Sequence, residues 1–444
     1  MLSKTRVQLG AKLERTFYGA KQAKGGRSSS PDVLEGHHRV KELPARPDSR
    51  SLIRVLNVSL LIELVRRSGP VSRADLARQS QISAPTVSGI VRDLLNRGIF
   101  SEVALAPSSG GRPPILLELE PKAGYVVGIK LRGDGLTTVV CDLDGRVVVT
   151  TETTVALVGQ PTVAIAAVAQ ATREALGEAG IARSKVLGVG VGLPGVIDSS
   201  LGVCTFSHLL KWEDVELARP LQQKMRLPIW VDNDVNTLAV AEKWAGGGIQ
   251  ARNFVTVSIG RGVGIGIVID RAIYRGTAGG AGEFGHTVVD PDGPECECGR
   301  SGCLEALVGE RALRRRLGER LGHDVSREEL IDRAASQDPV ATEVLALAGR
   351  ELGLAIANVI SLLAPELLII CGEGTELGEP FLGPAIAAAR SYAFADLGQR
   401  LEVKTQHWGD DAWAAGAATL ALRELFNLPG EDEQRRAIWN WLEA

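Results

Sequence analysis

The chain has few aromatic residues, few cysteines and little net charge. Only 4% of its 444 residues are aromatic, 6 are cysteine, and 50 basic residues nearly balance 53 acidic ones, giving a net charge of −3. No apolar run reaches about 18 residues, the length at which a membrane-spanning helix is indicated. The first 26 residues are rich in charge and lack the apolar core of a signal peptide. We therefore expect a cytoplasmic protein with reduced thiols and no membrane partner.

The small net charge is the sum of two unlike parts. The first 120 residues carry a net charge of +8 and the remainder carries −11. A basic end on an acidic body favours a nucleic-acid-binding segment, although a solvated basic tail would give the same count. Residues 1–48 show no sustained periodicity and contain Gly-, Ser- and Pro-rich stretches, which predicts a disordered basic extension.

Residues 49–120 have the pattern of a winged helix-turn-helix domain. Three helical segments are expected, the second starting at a capping box on Ser72 and the third capped by Ser83. Two short strands at 99–105 and 115–120 follow, as in a wing. A three-helix module that binds another protein is the alternative, which the basic flank and the wing make less attractive.

In this domain the third helix is expected to enter the major groove of DNA. Its apolar stripe faces inward and leaves hydroxyls and an arginine outside, where they could contact bases and phosphates. The wing could place a further arginine in the minor groove. The predicted DNA-binding residues are Ser83, Thr86, Ser88, Arg92 and Arg112. Because two half-sites must be presented together, we expect a homodimer, or a dimer of dimers, on a palindromic operator.

After about residue 120 the pattern changes to alternating strands and helices. Two glycine-punctuated hairpins of similar pattern predict two related α/β lobes, with a small-molecule site in the cleft between them. We place the first lobe at 121–236 and the second at 237–409. The C-terminal helix, 410–444, is expected to pack back on the first lobe.

Four potential metal ligands are clustered in the second lobe. They have the spacing H-x9-C-x-C-x4-C, and three thiolates with one imidazole suit tetrahedral zinc in a closed, structural site. Ordinary buried thiols are the alternative. The predicted zinc ligands are His286, Cys296, Cys298 and Cys303.

Several ordered motifs make the chain resemble the ROK family of repressors and sugar kinases. They are Gly-Leu-Pro-Gly at 192–195, Asp-Asn-Asp-Val-Asn at 232–236, Gly-Glu-Phe-Gly-His at 282–286 and the Cys-rich run at 296–305. The likeness covers about residues 120–425, and the preceding domain resembles that of the family's repressor branch. It implies an α/β fold of two actin-like (ribonuclease H-like) lobes behind a winged helix-turn-helix domain.

The resemblance also implies a sugar site. In the family's kinases the second residue of the Asn-Asp pair is the general base, and carboxylates with a zinc-bound histidine hold the pyranose. Carboxylates can accept pairs of hydrogen bonds from adjacent hydroxyls, and zinc on one ring nitrogen would fix the tautomer of the histidine. The implied sugar-binding residues are Asn233, Asp234, Glu283, His286 and Glu305.

The nucleotide loops of this kinase pattern are altered. The family's Asp-x-Gly-Gly-Thr becomes Lys-Leu-Arg-Gly-Asp at 130–134, and its Gly-Thr-Gly becomes Gly-Arg-Gly at 260–262. Glu373 interrupts the third, glycine-rich loop. Because phosphoryl transfer depends on such loops, we expect no kinase activity and treat Asp234 as a vestigial base. An active ATP-dependent, glucokinase-like sugar kinase with an added DNA-binding domain is the alternative.

These features together predict a sugar-responsive transcriptional regulator, a repressor of carbohydrate-metabolism genes, whose effector is a sugar or a sugar phosphate. Two departures leave the effector open. His208 stands where the family commonly has Asn, and Lys211 stands where it has Gly. Lys211 could bind an acidic or phosphorylated sugar, or be a solvated lysine. Control by a protein partner instead of a sugar is a third possibility.

Overall fold

The computed structural model describes residues 49–105, 114–406 and 410–426. Arg112 and the predicted extension at 1–48 therefore lie outside the described residues, as does the end of the C-terminal helix. The first elements are three helices followed by a small antiparallel sheet of order β1-β3-β2. They are α1 (Ser49–Ser68), β1 (Val71–Ser72), α2 (Arg73–Ser80), α3 (Ala84–Asn96), β2 (Phe100–Leu105) and β3 (Ile115–Leu119).

The starts of α2 and α3 follow from their capping residues. The Ser72 hydroxyl accepts a hydrogen bond from the Asp75 amide at 3.1 Å, and Ser83 caps α3 by accepting from the Thr86 amide. These bonds satisfy amides that have no partner inside the helix. On α3, Val87, Ile90, Val91 and Leu94 are buried, as the apolar stripe requires.

The next segment forms a lobe around a five-stranded sheet of order β11-β7-β4-β5-β6, with a second, three-stranded sheet of order β10-β9-β8. Its elements are β4 (Tyr125–Leu131), β5 (Gly135–Asp142), β6 (Val147–Thr154), α4 (Pro161–Glu178), β7 (Val186–Leu193), β8 (Val196–Asp198), β9 (Val203–Ser207), β10 (Trp212–Glu216), α5 (Ala218–Met225) and β11 (Ile229–Asn233).

A helix leads from this lobe into a second one, whose five-stranded sheet has the order β14-β13-β12-β15-β16. The elements are α6 (Asp234–Ala245), β12 (Phe254–Ile259), β13 (Val263–Ile269), β14 (Ala272–Ile273), α7 (Leu304–Val308), α8 (Glu310–Leu321), α9 (Arg327–Ala335), α10 (Pro339–Leu363), β15 (Leu367–Cys371), α11 (Glu379–Tyr392), α12 (Leu397–Arg400), β16 (Glu402–Thr405) and α13 (Asp410–Phe426).

The two large sheets have the same topology, which confirms the predicted fold class of two related α/β lobes. In each sheet, three consecutive antiparallel strands are extended by two parallel strands that return after helices. Helix α13 packs on β4 and β7 of the first sheet, where Gly190 is so close that a Cβ would overlap the carbonyl oxygen of Ala417.

Helix α6 lies between α13 and the second sheet. Asn233 caps the helix and Asp234 is its first residue. Gly264 and Gly266 of β13 let α6 approach closely, since a Cβ at either position would press on Val235 or Ala239. The helix is therefore packed against both lobes.

Helix α10 is long and apolar enough to span a membrane by length and composition. Just over half of its most apolar stretch is buried in the protein. Its buried residues belong to the main core of the second lobe, together with residues of α8 and α11.

Candidate functional site

A cavity of about 810 Å³ lies between the two lobes. All five residues implied as sugar ligands line it, and they come from three separate parts of the chain. Asn233 and Asp234 stand where β11 passes into α6, Glu283 and His286 follow β14, and Glu305 lies on α7. The structure thus brings these five residues together.

The Asn233 side chain mainly makes hydrogen bonds to backbone groups that shape the site. Its Oδ1 accepts hydrogen bonds from the amides of Val235 at 2.8 Å and Asn236 at 3.2 Å, and its Nδ2 donates to the Gly195 carbonyl at 3.0 Å. A carboxamide has two N–H donors, so one N–H remains for a ligand.

Asp232 organises the same turn, although sequence reasoning gave it no role. Its carboxylate is fully buried and accepts from the Asn233 amide at 2.8 Å and from Asn236 Nδ2 at 3.0 Å. Its other oxygen accepts a hydrogen bond from Arg275 Nε at 2.8 Å and lies 2.7 Å from Arg275 Nη2. Arg275 follows β14, so this ion pair joins the two lobes beside the cavity. The Asp-Asn-Asp-Val-Asn motif included Asp232, but no local signal pointed to Arg275.

Three of the carboxylates that line the cavity belong to the implied sugar ligands Asp234, Glu283 and Glu305. Burial raises the pKa of Glu283, and the nearby Asp234 carboxylate raises it further while His286 opposes the rise. Burial also raises the pKa of Glu305, which accepts a hydrogen bond from the Val263 amide at 3.0 Å. The cavity wall is therefore rich in hydrogen-bond acceptors.

Lys130 supplies a cation to this acidic wall. Its ammonium forms an ion pair with the Asp234 carboxylate, and the two side chains are only 12% and 11% exposed. The same Nζ lies 4.4 Å from the centre of the Trp413 ring, within cation–π distance. Sequence reasoning missed this pair because the two residues are 104 positions apart.

The four predicted metal ligands also come together, beside the cavity. Their ligand atoms all lie within 4.8 Å of one another. The Cys298 and Cys303 sulfurs are 3.7 Å apart, and the Cys296 sulfur is 3.6 Å from His286 Nδ1. A tetrahedral zinc with ordinary bond lengths would require about 3.8 Å between sulfurs and about 3.6 Å between sulfur and nitrogen. The donor set could therefore hold a metal ion.

The loop that carries the cysteines has a defined backbone. The Cys296 amide donates to the Arg300 carbonyl at 2.7 Å, and the Gly299 amide donates to the Cys296 carbonyl at 2.9 Å. Gly302 has φ +68°, and a Cβ there would overlap the carbonyl oxygen of Asp290, so only glycine fits. Because Nδ1 of His286 points to the cysteines, its Nε2 is left for the cavity.

The altered loops reach the same cavity. Residues 130–134, 260–262 and Glu373 all line it. Arg132 donates to Glu152 at 2.9 Å and also contacts Asp134. The Glu373 carboxylate lies directly against Gly260, where a Cβ would overlap it.

His208 lines the cavity and packs edge-on against His286, with ring centres 5.1 Å apart. Lys211 is exposed and lies outside the cavity lining.

Four of the five predicted DNA-binding residues lie in the described part of the chain, on a separate surface. Ser83, Thr86, Ser88 and Arg92 are all exposed on or beside α3. The Ser83 and Thr86 hydroxyls are hydrogen-bonded to each other at 2.8 Å, so both take part in capping the helix.

Known proteins resemble either most of the chain or its two lobes alone. The family model described as "ROK family" matches residues 126–424. A putative xylose repressor of Caldicellulosiruptor sp. (strain Rt8B.4) is 28% identical over 394 residues, which is 86% of this chain and 99% of that protein. The DNA-binding transcriptional dual regulator NagC of Escherichia coli (strain K12) is 29% identical over 391 residues, covering 85% and 94%.

Among solved structures, a regulator matches most of the chain and a sugar kinase matches about two thirds of it. A ROK family transcriptional regulator, homologue of the E. coli MLC protein, has a TM-score of 0.76 at 26% identity, covering 88% of this chain and all of that one. A ROK family glucokinase from Streptomyces griseus, solved with glucose and AMPPNP, has a TM-score of 0.59 at 28% identity. It covers 67% of this chain and 99% of its own.

The buried Asp232–Arg275 pair yields a prediction about stability. Arg275→Met would leave the Asp232 carboxylate buried without its cation, which should lower the free energy of unfolding by about 3 kcal/mol. Denaturant unfolding measures this loss, and adding Asp232→Asn should restore part of it. Arg252→Met is the matched control, because its partner Asp270 is 66% exposed and the expected loss is less than about 1 kcal/mol. Equal losses in the two variants would contradict the assigned role.

Proposed function

Because the chain belongs to the ROK family, we propose that it is a sugar-responsive, DNA-binding transcriptional regulator that represses carbohydrate-metabolism genes. One observation carries this proposal. A cavity is lined by the five residues that match sugar ligands of the family. The same molecule has a three-helix unit that presents an exposed helix bearing hydroxyl groups. The relatives named as repressors or transcriptional regulators match more than four fifths of this chain, whereas the glucokinase match covers two thirds. A regulator of this kind acts in the cytoplasm.

The altered loops support a regulator without kinase activity. A kinase base must be free to take a proton from the sugar hydroxyl, but here Asp234 is paired with the Lys130 ammonium. Phosphoryl transfer also needs glycine-lined loops and cations around the phosphates. The Glu373 carboxylate against Gly260 would repel a phosphate there. The alternative of an active, glucokinase-like enzyme is therefore disfavoured.

The sugar would be held by hydroxyl contacts from both lobes. Asp234, Glu283 and Glu305 offer carboxylate oxygens to pairs of hydroxyls, which gives charge-assisted hydrogen bonds. Asn233 keeps one N–H for a hydroxyl oxygen, and His286 offers Nε2. Since the contacts come from the two lobes, a sugar would favour one angle between them.

Zinc is the metal that the four-ligand cluster suits best, because it accepts three thiolates and an imidazole in a tetrahedral arrangement. His286, Cys296, Cys298 and Cys303 would hold it. Bound zinc would fix the loop conformation and the tautomer of His286, a structural contribution. The cluster would in this way orient a sugar-binding residue.

The helix that starts at the sugar site ends against the DNA-binding unit. Asp234 is the first residue of α6, and Trp244 is next to its last. Arg66 of α1 lies over the Trp244 ring at 3.5 Å from its centre, and Phe426 of α13 stacks on the same ring at 6.4 Å. We infer that α6 carries the effect of sugar binding to α1, because one rigid helix contacts both sites.

On the DNA, two copies of the chain would present two α3 helices to the half-sites of a palindromic operator. Ser83, Thr86, Ser88 and Arg92 would contact bases or phosphates, with Arg112 in the wing. The angle between the lobes would change the spacing of the two helices and thereby the affinity for the operator.

The function is tested by measuring DNA affinity with and without sugars. DNA fragments are first selected from a random-sequence pool by the protein itself, and affinity is then titrated with D-xylose, N-acetyl-D-glucosamine and D-glucose. We expect one sugar to weaken DNA binding about tenfold, within the usual range of allosteric coupling. Glu283→Gln should abolish this response and leave sugar-free DNA binding intact.

Glu213→Gln is the matched control, since Glu213 is exposed on β10 and lies outside the cavity lining. ATP consumption is followed in the same samples. Turnover that disappears in Asp234→Asn would favour the kinase. A DNA affinity that no tested sugar changes would favour control by a protein partner.

The role of α6 is tested with Arg66→Gln, which removes the guanidinium from the Trp244 face. Sugar affinity and sugar-free DNA affinity should each stay within about twofold, while the sugar-induced release from DNA falls at least about threefold, the scale of one cation–π contact. Arg67→Gln is a close control, because Arg67 is 57% exposed and 4.0 Å from the same Glu63 that Arg66 contacts. A full response in Arg66→Gln would rule out this connection.

The zinc assignment is tested by elemental analysis of purified, dialysed protein. About one zinc per chain is expected, and Cys298→Ser should lose most of it together with thermal stability and sugar affinity. Cys204→Ala, a buried thiol outside the cluster, should keep its zinc. Wild-type protein that retains another metal, or none, would remove the assignment.

A further inference from the structure

Lys130 projects from β4 into the cavity and ends at the residue where a kinase would hold its base. Its ammonium is fixed by two neighbours, the Asp234 carboxylate and the Trp413 ring. An ammonium group has three N–H donors. Because Lys130 also lines the cavity, it places a hydrogen-bond donor directly beside the acceptor oxygens of Asp234.

We propose that Lys130 is a ligand-binding residue which, together with Asp234, brackets one hydroxyl of a neutral sugar. The ammonium donates to the hydroxyl oxygen, and the hydroxyl donates its proton in a hydrogen bond to the Asp234 carboxylate. This inference rests on the proposed sugar-binding function and adds a residue and a ligand class to it. Lys130 then determines specificity in addition to neutralising the base.

The charges of the cavity favour a hydroxyl over an anionic substituent at this position. Asp234, Glu283 and Glu305 converge here. Burial raises the pKa of Glu283, and the negative charge of Asp234 raises it further. The Lys130 charge is balanced by Asp234. A phosphate or carboxylate on the sugar would have to compete with Asp234 for one ammonium while facing the other two acids. Arg132 also lines the cavity, but it is paired with Glu152 and Asp134. Arg261 and Arg300 line it as well, but they belong to the second lobe, near Glu305 and His286.

A hydroxyl leaves the buried ion pair intact and satisfies both of its members. A sugar that lacks this hydroxyl would leave a donor and an acceptor without a ligand partner when the cleft closes. Sites built to hydrogen-bond a hydroxyl discriminate strongly against analogues without it. Lys130 should therefore control discrimination at one position of the sugar ring.

The test is calorimetric binding to the full-length protein. D-Xylose, N-acetyl-D-glucosamine and D-glucose are titrated first, followed by the monodeoxy analogues of whichever binds tightest. Wild-type protein should lose at least about tenfold in affinity for one deoxy analogue. Lys130→Met should bind the parent sugar at least about tenfold more weakly and treat that analogue and the parent alike. Lys130→Arg, which keeps a charged donor, should recover part of the discrimination.

Lys211→Met is the matched control, because Lys211 is exposed and lies outside the cavity lining. It should bind and discriminate as the wild type does. If Lys130→Met does not fold, Lys130→Met/Asp234→Asn is compared with Asp234→Asn, since the double variant leaves no charge unpaired. Loss of the remaining discrimination in the double variant supports the proposal.

Three results would overturn it. Wild-type discrimination in Lys130→Met would show that the lysine does not contact the sugar. Tighter binding of N-acetyl-D-glucosamine 6-phosphate than of the neutral sugar, lost in Lys130→Met, would make Lys130 an anion contact. If the wild type binds none of the sugars, both this inference and the sugar-binding function fail, whereas the first result removes the inference alone.

Discussion

The arrangement of the cleft depends on one buried ion pair, Asp232 with Arg275. A fully buried carboxylate is costly unless its oxygens are satisfied, and here three hydrogen bonds and an ion pair, from three residues, satisfy them. Two of these bonds fix the turn at the end of β11, so that Asn233 can cap α6. The third hydrogen bond and the ion-pair contact come from Arg275, which follows β14. The same carboxylate thus sets the start of α6 and ties the second lobe to the first.

Helix α6, which starts beside this ion pair, contacts elements of both lobes. The two five-stranded sheets repeat one topology, yet α6 packs on α13 at one side and on β12 and β13 at the other. Small residues make this possible, since Gly264 and Gly266 admit the helix and Gly190 admits α13. A helix packed this closely can shift only with its neighbours. In the proposed mechanism, a shift of α6 at Asp234 would therefore also move Trp244 and the residues stacked on it.

Much of this structure could be predicted from the sequence, because many of its determinants are local. The caps on Ser72 and Ser83, the apolar stripe of α3 and the spacing of the four metal ligands each involve residues that are close in the chain. The five implied sugar-binding residues were found through motifs that the chain shares with the ROK family. The three-stranded sheet β8–β10 and the helices α9 and α11 were not identified. Asp232–Arg275 and Lys130–Asp234 were missed because partners 43 and 104 residues apart leave no periodic signal.

Lys130 stands where the kinase pattern has Asp, and in the structure it forms a contact that the sequence did not predict. Lysine at position 130 removes a carboxylate from the phosphate loop, but its ammonium now balances Asp234 in a cavity that Glu283 and Glu305 also line. Arg132 of the same turn is also paired within the chain, with the exposed carboxylates of Glu152 and Asp134. In a kinase, the charges of such a cleft are completed by the nucleotide and its metal ion. In the proposed regulator, side chains of the chain itself would complete them, so the cleft would bind a sugar without a nucleotide. A regulator that responds to sugar alone requires such a cleft, because any need for ATP would make its response depend on a second ligand.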